Sequence, residues 1–448
     1  MGKYFGTDGF RGEANVQLTA EHAFAIGRYI GWYFGQEHRA KIVIGMDTRR
    51  SGDMLAHAIA SGIAESGADA YMMQVTTTPS VAFMVRREQF DCGVMISASH
   101  NPFYDNGIKL IGSNGQKIEA AVESAIEQYI DEGTPEIPRA LREDIGAVVE
   151  YTKGVDDYAA YLVSAAVHSF KGFRIGIDCA NGSTSKIAAQ VLEAAGAEVS
   201  VIHNTPDGVN INRGCGSTHM ESLQQFVRDN GLDAGFAYDG DGDRCLAVDE
   251  NGNIIDGDLI MYIGANWLKD QGILAGNTLV TTVMSNIGLY KALDAAGISY
   301  EQTAVGDKYV AECMFTNGYS IGGEQSGHII LAQHAKTGDG ILTSLMLLDA
   351  MAEKHASLAE LASDVTIYPQ LLQNVRVADK KTARENARML EAVEQVKKRL
   401  GNDGRVLVRE SGTEPLIRVM AEAQTDEICR ECVSSIVQVM QEEGLVLD

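Results

Sequence analysis

Three aspartates alternate with glycines in Asp239-Gly-Asp-Gly-Asp243, and Arg244 follows. A backbone this rich in glycine can curl until all three carboxylates face one hard cation, Mg2+ or Ca2+. Without a cation, three neighbouring carboxylates repel one another. An EF-hand shares the Asp spacing and would place Glu250 at its twelfth position. It fails at Arg244, where its sharp turn needs glycine, and at the preceding segment, which reads as a strand instead of a helix.

Four other segments carry reactive side chains. Ser97-Ala-Ser-His-Asn-Pro102 offers two hydroxyls and an imidazole after an apolar strand. A serine must be activated, or must already hold the group to be transferred. His100 invites a hydrolase dyad, but neighbours on an extended segment point to opposite faces, and no G-x-S-x-G elbow is present. A capped turn with a structural histidine stays equally open. Arg409-Glu-Ser-Gly-Thr-Glu-Pro415, with Arg418 beyond, has the makings of an anion cradle: backbone N–H groups around Gly412, hydroxyls from Ser411 and Thr413, and planar guanidinium forks. A hairpin turn with exposed charge is the alternative. Gly322-Gly-Glu-Gln-Ser-Gly-His328 mixes a carboxylate, a hydroxyl and an imidazole, a set suited to polyol hydroxyls. Thr7-Asp-Gly-Phe-Arg11-Gly presents one arginine on a glycine-rich turn.

These loops need elements to position them, and the chain repeats one plan three times. Residues 41–75 read as a strand, a polar loop, a helix through Leu55, Ile59 and Ile63, and a second strand. Residues 174–202 do so with Ile187, Val191 and Ala195, and residues 278–305 with Leu289 and Leu293. Each is a βαβ crossover that predicts parallel strands. A further short strand follows each unit and runs into the Ser97, Asp239 or Gly322 loop. Ligands of open α/β sheets gather at the carboxyl ends of strands, so the three loops are expected to share a cleft. From about residue 369 the pattern changes to a strand (371–377), a helix (383–399), a strand pair around 410–415 and a helix from about 426. A small α+β domain is predicted.

The 448 residues suit about three domains of ordinary size, with 45% hydrophobic and 22% charged residues. A net charge of −24 argues against nucleic acid and anionic membrane as partners, though arginines gathered in one cleft can still bind a small anion. The opening residues hold no signal-peptide core, and no stretch reaches the roughly 18 apolar residues of a membrane span. Seven scattered cysteines fit a reducing cytoplasm. Cys429 and Cys432 lie at i, i+3 spacing on the apolar face of the last helix and are expected in a core.

Taken in order, the quoted segments resemble the α-D-phosphohexomutase family. The matching runs are Tyr4–Gly12, Ile96–Lys109, Asp239–Arg244, Val305–Val310, Gly323–His328 and Arg409–Met420. The resemblance implies three similar mixed-sheet α/β domains around a central cleft plus a C-terminal α+β domain. Their expected extents are 1–153 with the phosphoserine loop, 154–254 with the metal loop, 255–367 with the sugar loop and 368–448 with the phosphate loop. It implies that Ser99 carries a phosphate and that Asp239, Asp241 and Asp243 hold Mg2+ together with a phosphoserine oxygen. Arg244, Glu324 and Ser326 are implied to meet the sugar. Arg409, Ser411, Gly412, Thr413 and Arg418 are implied to hold the substrate's phosphate, and Arg11, Lys109 and His328 to serve as acid, base or charge stabiliser.

The implied activity, for the bacterial amino-sugar branch, interconverts glucosamine 6-phosphate and glucosamine 1-phosphate through glucosamine 1,6-bisphosphate. It feeds UDP-N-acetylglucosamine and peptidoglycan precursors. Ser326 and the Phe103-Tyr-Asp-Asn-Gly107 stretch favour the amino sugar over glucose or mannose phosphates. The bisphosphate must turn round between transfers, so closure by the C-terminal domain is expected. A homodimer is the family's usual assembly. A metal-dependent phosphatase, with water as acceptor, is the rival of a different class, and a non-enzymatic metal-binding module a more distant one.

Overall fold

The computed structural model describes residues 2–6, 8–411 and 414–447. Residues up to Met284 together with Ile298–Ser363 make one compact unit; Ser285–Gly297 with Asp364 onward make another.

The first unit holds three mixed sheets built on the repeated plan. In the seven-stranded sheet, Lys41–Met46 pairs in parallel with Asp69–Val75 on one side and Cys92–Ile96 on the other. Ile42, Val43 and Ile44 are fully enclosed, as expected of a parallel strand covered on both faces. Cys92–Ile96 then turns back through residues 97–104 into the antiparallel strand Asp105–Gly112. The five-stranded sheet repeats this. Arg174–Asp178 lies parallel to Glu198–Ile202 and to Ala234–Tyr238, and Ala234–Tyr238 turns back into Cys245–Val248. In the four-stranded sheet, Thr278–Thr282 lies parallel to Ser299–Thr303 and Ile321–Gly323, and Ile321–Gly323 turns back into Ile329–Leu331. The Ser97, Asp239 and Gly322 loops are thus the bends between the last parallel strand of each sheet and an antiparallel return strand.

Two helix starts set the site. Thr77 caps Thr78–Arg87 by accepting the Ser80 N–H, with Pro79 in the first turn where its missing N–H costs nothing. Asp339 caps Gly340–Lys354, whose face toward the unit's core is lined by Leu345, Leu348 and Met351.

The second unit is a three-stranded antiparallel sheet, Gln370–Arg376, Leu416–Glu422 and Arg405–Glu410 in spatial order. Ala387–Leu400 and Asp426–Glu442 bury Val393, Val396, Cys432, Val433 and Ile436 in its core. The single helix expected over 383–399 is two, Lys380–Glu385 and Ala387–Leu400, because Asn386 breaks the run and caps the second through the Met389 N–H. Cys429 and Cys432 are both buried, and all seven cysteines are free thiols.

Candidate active site

Ser99 lies early in the bend after Cys92–Ile96 and is 1% exposed. Its Oγ donates to Asp239 Oδ2 at 2.5 Å. The Ser97 and Asp239 loops come from different sheets, and glycine lets them close up: a β-carbon at Gly240 would lie 2.4 Å from the Ser99 carbonyl. The expectation that Ser99 and His100 point apart does not hold. Ser99 has φ 50°, in the left-handed region instead of extended, and its Oγ lies 3.3 Å from His100 Nδ1. No hydrolase dyad results. The hydroxyl proton is directed to Asp239, and His100 Nδ1 faces the Arg244 guanidinium at 3.3 Å. Burial, with Arg244 and Arg11 nearby, lowers the His100 pKa to about 4.

Asp239, Asp241 and Asp243 are buried, and one oxygen of each lies within 4.8 Å of the others. Asp241 Oδ1 and Asp243 Oδ1 are enclosed with no hydrogen-bond partner. Burial and repulsion from Asp243 and Asp241 push the Asp239 carboxyl well above its ordinary range. Three convergent carboxylates with unpaired buried oxygens are a donor set for a hard divalent cation. The residues fit such an ion.

Cationic groups ring the carboxylates. Lys109 Nζ, from the return strand, lies 2.8 Å from Asp241, 3.2 Å from Asp8 and 3.6 Å from Asp243. Burial lowers its pKa, but these carboxylates outweigh burial and raise it, so it is an ammonium donor. Burial would raise Asp8, yet Lys109 and Arg11 hold it at about 2, and Arg11 pairs with Asp8 directly. His328 is 3% exposed, with Nδ1 3.7 Å from Asp243 Oδ2. Burial lowers its pKa and the Asp243 carboxylate raises it. Nε2 accepts the Gly338 N–H at 2.9 Å and so carries no proton, which places the ring's proton on Nδ1, toward Asp243. Glu324 accepts the Gly306 N–H at 3.0 Å, and Ser326 is exposed at the tip of the same bend.

Ser99, the three aspartates, Lys109, Arg11, Arg244, His328 and Glu324 therefore meet in the first unit. Sequence reasoning missed Thr78 and Asp8. Thr78 Oγ1 donates to Asp241 Oδ2 at 2.5 Å and its N–H to the Asp241 carbonyl at 2.9 Å. The Thr-Pro start of a helix was the available signal, but nothing in the sequence links it to a residue 163 positions away.

In the second unit, Arg409 and Arg418 stand directly opposite on adjacent strands. Like charges in that register repel, and both Nε groups are buried without a partner. Burial and Arg418 together lower the Arg409 pKa. Ser411 is buried, with Arg418 Nη2 3.5 Å from its Oγ. Two unpaired Nε groups beside a buried hydroxyl are donors that could hold an anion, although Arg418 Nη2 also lies 3.6 Å from the Glu414 carboxylate. Gly412 and Thr413 lie outside the described residues.

Comparison with known proteins agrees with this arrangement. Four family models match: phosphoglucomutase/phosphomannomutase domain I over residues 2–136, domain II over 150–252, domain III over 256–368 and the C-terminal domain over 372–439. A phosphoglucosamine mutase of Lachnospira eligens is 57% identical over 447 residues, covering 99% of each chain. One of Bacillus cytotoxicus is 50% identical over 444 residues with the same coverage. Among solved structures, a phosphoglucomutase/phosphomannomutase family protein of Burkholderia thailandensis has the same fold, with TM-score 0.81 at 21% identity over 98% of this chain and 97% of its own. Aspergillus fumigatus N-acetylphosphoglucosamine mutase, in complex with GlcNAc-6P and magnesium, has TM-score 0.70 at 18% identity, covering 98% and 96%. This chain belongs to the phosphoglucosamine mutase family of the α-D-phosphohexomutases, enzymes that act as intramolecular phosphotransferases.

Proposed function

We propose that the protein interconverts glucosamine 6-phosphate and glucosamine 1-phosphate, with Ser99 as the phosphate carrier and glucosamine 1,6-bisphosphate as the intermediate. The observation that carries this reading is the 2.5 Å contact of Ser99 Oγ with Asp239, inside a buried carboxylate triad that keeps unpaired oxygens. Asp239, Asp241 and Asp243 would hold Mg2+ with an oxygen of the Ser99 phosphate. The ion would withdraw charge from the phosphoryl group and so ease its transfer.

In the forward step a sugar hydroxyl oxygen bonds to phosphorus and the bond from phosphorus to Ser99 Oγ breaks; the sugar hydroxyl loses a proton and Ser99 Oγ gains one, leaving as a neutral hydroxyl. In the return step the bisphosphate, turned round, gives its other phosphoryl group back to Ser99. Lys109, already donating to carboxylates, serves as a proton donor and charge neutraliser and not as a base. Arg11 is a guanidinium and likewise no base. His328 offers a proton at Nδ1. Glu324 and Ser326 are assigned to sugar hydroxyls, and Arg244 to the sugar phosphate beside Ser99. Arg409, Ser411, Gly412, Thr413 and Arg418 are assigned to the phosphate that is not being transferred, an assignment the unpaired Nε groups of Arg409 and Arg418 support. The four functional segments follow the extents 1–153, 154–254, 255–367 and 368–448.

The amino sugar is favoured over glucose or mannose phosphates by the family membership. No helix is long and apolar enough to cross a membrane among the described residues. Work in the cytoplasm on a peptidoglycan precursor, as a homodimer, follows from the family reading. Intact mass and peptide mapping test the core of it. One phosphate is expected on the peptide bearing Ser99, and Ser99→Ala should be unphosphorylated with kcat down by about three orders of magnitude or more. Phosphate on Ser97 instead would overturn the assignment.

A further inference from the structure

The left-handed backbone of Ser99 is one that residues with a β-carbon rarely adopt, so the surroundings must impose it. The groups that do so lie far off in sequence. The Ser99 carbonyl accepts from Arg49 Nη2 and from Asn212 Nδ2, each at 2.8 Å. The same two side chains share the Asn101 carbonyl, at 2.9 and 3.0 Å. Arg49 also reaches the carbonyls of Pro102 and Asp105, and its Nε pairs with the buried Asp47 at 2.8 Å. Asp47 Oδ2 accepts the Ser97 hydroxyl at 2.6 Å, and Ser97 Oγ in turn accepts the Ser99 N–H at 2.9 Å. Both main-chain polar groups of Ser99 are thus tied to this network.

Asn212 arrives from a different sheet. It lies between His203 and Gly216, and Asp178 Oδ2 pins both of them: the His203 ring at 2.9 Å and the Gly216 N–H at 3.0 Å. The Asn212 N–H is fixed to the Ala180 carbonyl, and Gly208 O accepts the Arg50 N–H, both at 2.9 Å. Residues 204–215 therefore form a brace from the five-stranded sheet onto the Ser99 loop. The loop must hold one geometry while Ser99 alternates between a neutral hydroxyl and a phosphate carrying about two negative charges.

We infer that Arg49 and Asn212 are positioning residues, which clamp the Ser99 and Asn101 carbonyls so that Ser99 Oγ stays aimed at the carboxylate triad. The inference rests on the reading of Ser99 as phosphate carrier. It is tested with Asn212→Asp, which keeps the shape but sets a carboxylate against two carbonyls. Asn212→Gly tolerates the φ of 58° without the amide, and Arg49→Lys keeps the charge but not the fork. The readouts are kcat and KM with glucosamine 6-phosphate, the rate at which dephosphorylated Ser99 takes phosphate from glucose 1,6-bisphosphate by intact mass, and Tm.

For Asn212→Asp and Asn212→Gly, kcat and the phosphate-uptake rate are expected to fall together by about 10- to 100-fold, with KM within about twofold of wild type and the protein still folded at the assay temperature. Unchanged kcat in both variants, or a loss that merely follows the unfolded fraction, overturns the inference. Wild-type protein that takes up no phosphate on Ser99 overturns the underlying reading and the inference with it.

Discussion

Asp239, Asp241 and Asp243 were the clearest chemistry in the sequence, and their side chains carry a measurable consequence. One oxygen of each lies within 4.8 Å of the others, and Asp241 Oδ1 and Asp243 Oδ1 are buried without a hydrogen bond. Removing one charge should relieve repulsion while destroying the cation site. In EDTA, Asp239→Asn is expected to melt at or above the wild-type Tm. Mg2+ at a hundred times its Kd should stabilise wild type by about 2.7 kcal/mol and leave the variant unmoved. Thermal melts with and without Mg2+ read both effects; a variant that still responds like wild type contradicts the assignment. Ser99 itself was only half legible. Its hydroxyl chemistry could be read, but its φ of 50° could not, since that conformation is imposed by Arg49 and Asn212 from 50 and 113 positions away.

At the scale of elements, the helix Gly340–Lys354 begins at Asp339, which accepts the Leu342 N–H at 3.0 Å and the Tyr158 hydroxyl at 2.6 Å. Burial raises this carboxyl to about 6 from an ordinary 3.8. The folded state thus favours the neutral acid. Its contribution to stability is fully present below about pH 4 and is lost as pH rises through about 6, by up to about 3 kcal/mol. Asp339→Asn keeps a capping oxygen and cannot ionise. Relative to wild type, it should gain stability between pH 4 and 7 by up to that amount in urea melts; a difference that does not change with pH refutes the account.

The hairpin of Arg405–Glu410 and Leu416–Glu422 makes its own prediction, because it sets Arg409 opposite Arg418. Arg418→Gln should raise KM for the sugar phosphate at least about tenfold, since a charge-assisted hydrogen bond is lost. Inorganic phosphate should also no longer raise Tm. An unchanged KM removes Arg418 from the phosphate site. The three βαβ repeats were legible because parallel crossovers leave a plain apolar periodicity in the sequence. The split at Asn386 was not, because a residue that caps one helix can also sit inside another until its hydrogen bond is seen.

For the whole molecule, the net charge of −24 makes any local gathering of cationic side chains stand out. An acidic chain concentrates Arg11, Lys109 and Arg244 around one carboxylate cluster, and sets Arg409 against Arg418 with the Nε of each buried and unpaired. The order of the loops is readable from the amino acids alone, and the match of four family models in the same order agrees with it. What sequence could not supply was the side-chain closure between sheets: Thr78 on Asp241, and Asn212 on the Ser99 carbonyl.

The central claim is phosphoryl transfer from one sugar oxygen to another through Ser99, and phosphorus NMR reads it directly. With glucosamine 6-phosphate, Mg2+ and a catalytic amount of glucose 1,6-bisphosphate, a glucosamine 1-phosphate signal should grow to equilibrium without inorganic phosphate, and Ser99→Ala should produce none. Steady release of inorganic phosphate with no 1-phosphate would contradict the account and make the protein a phosphatase.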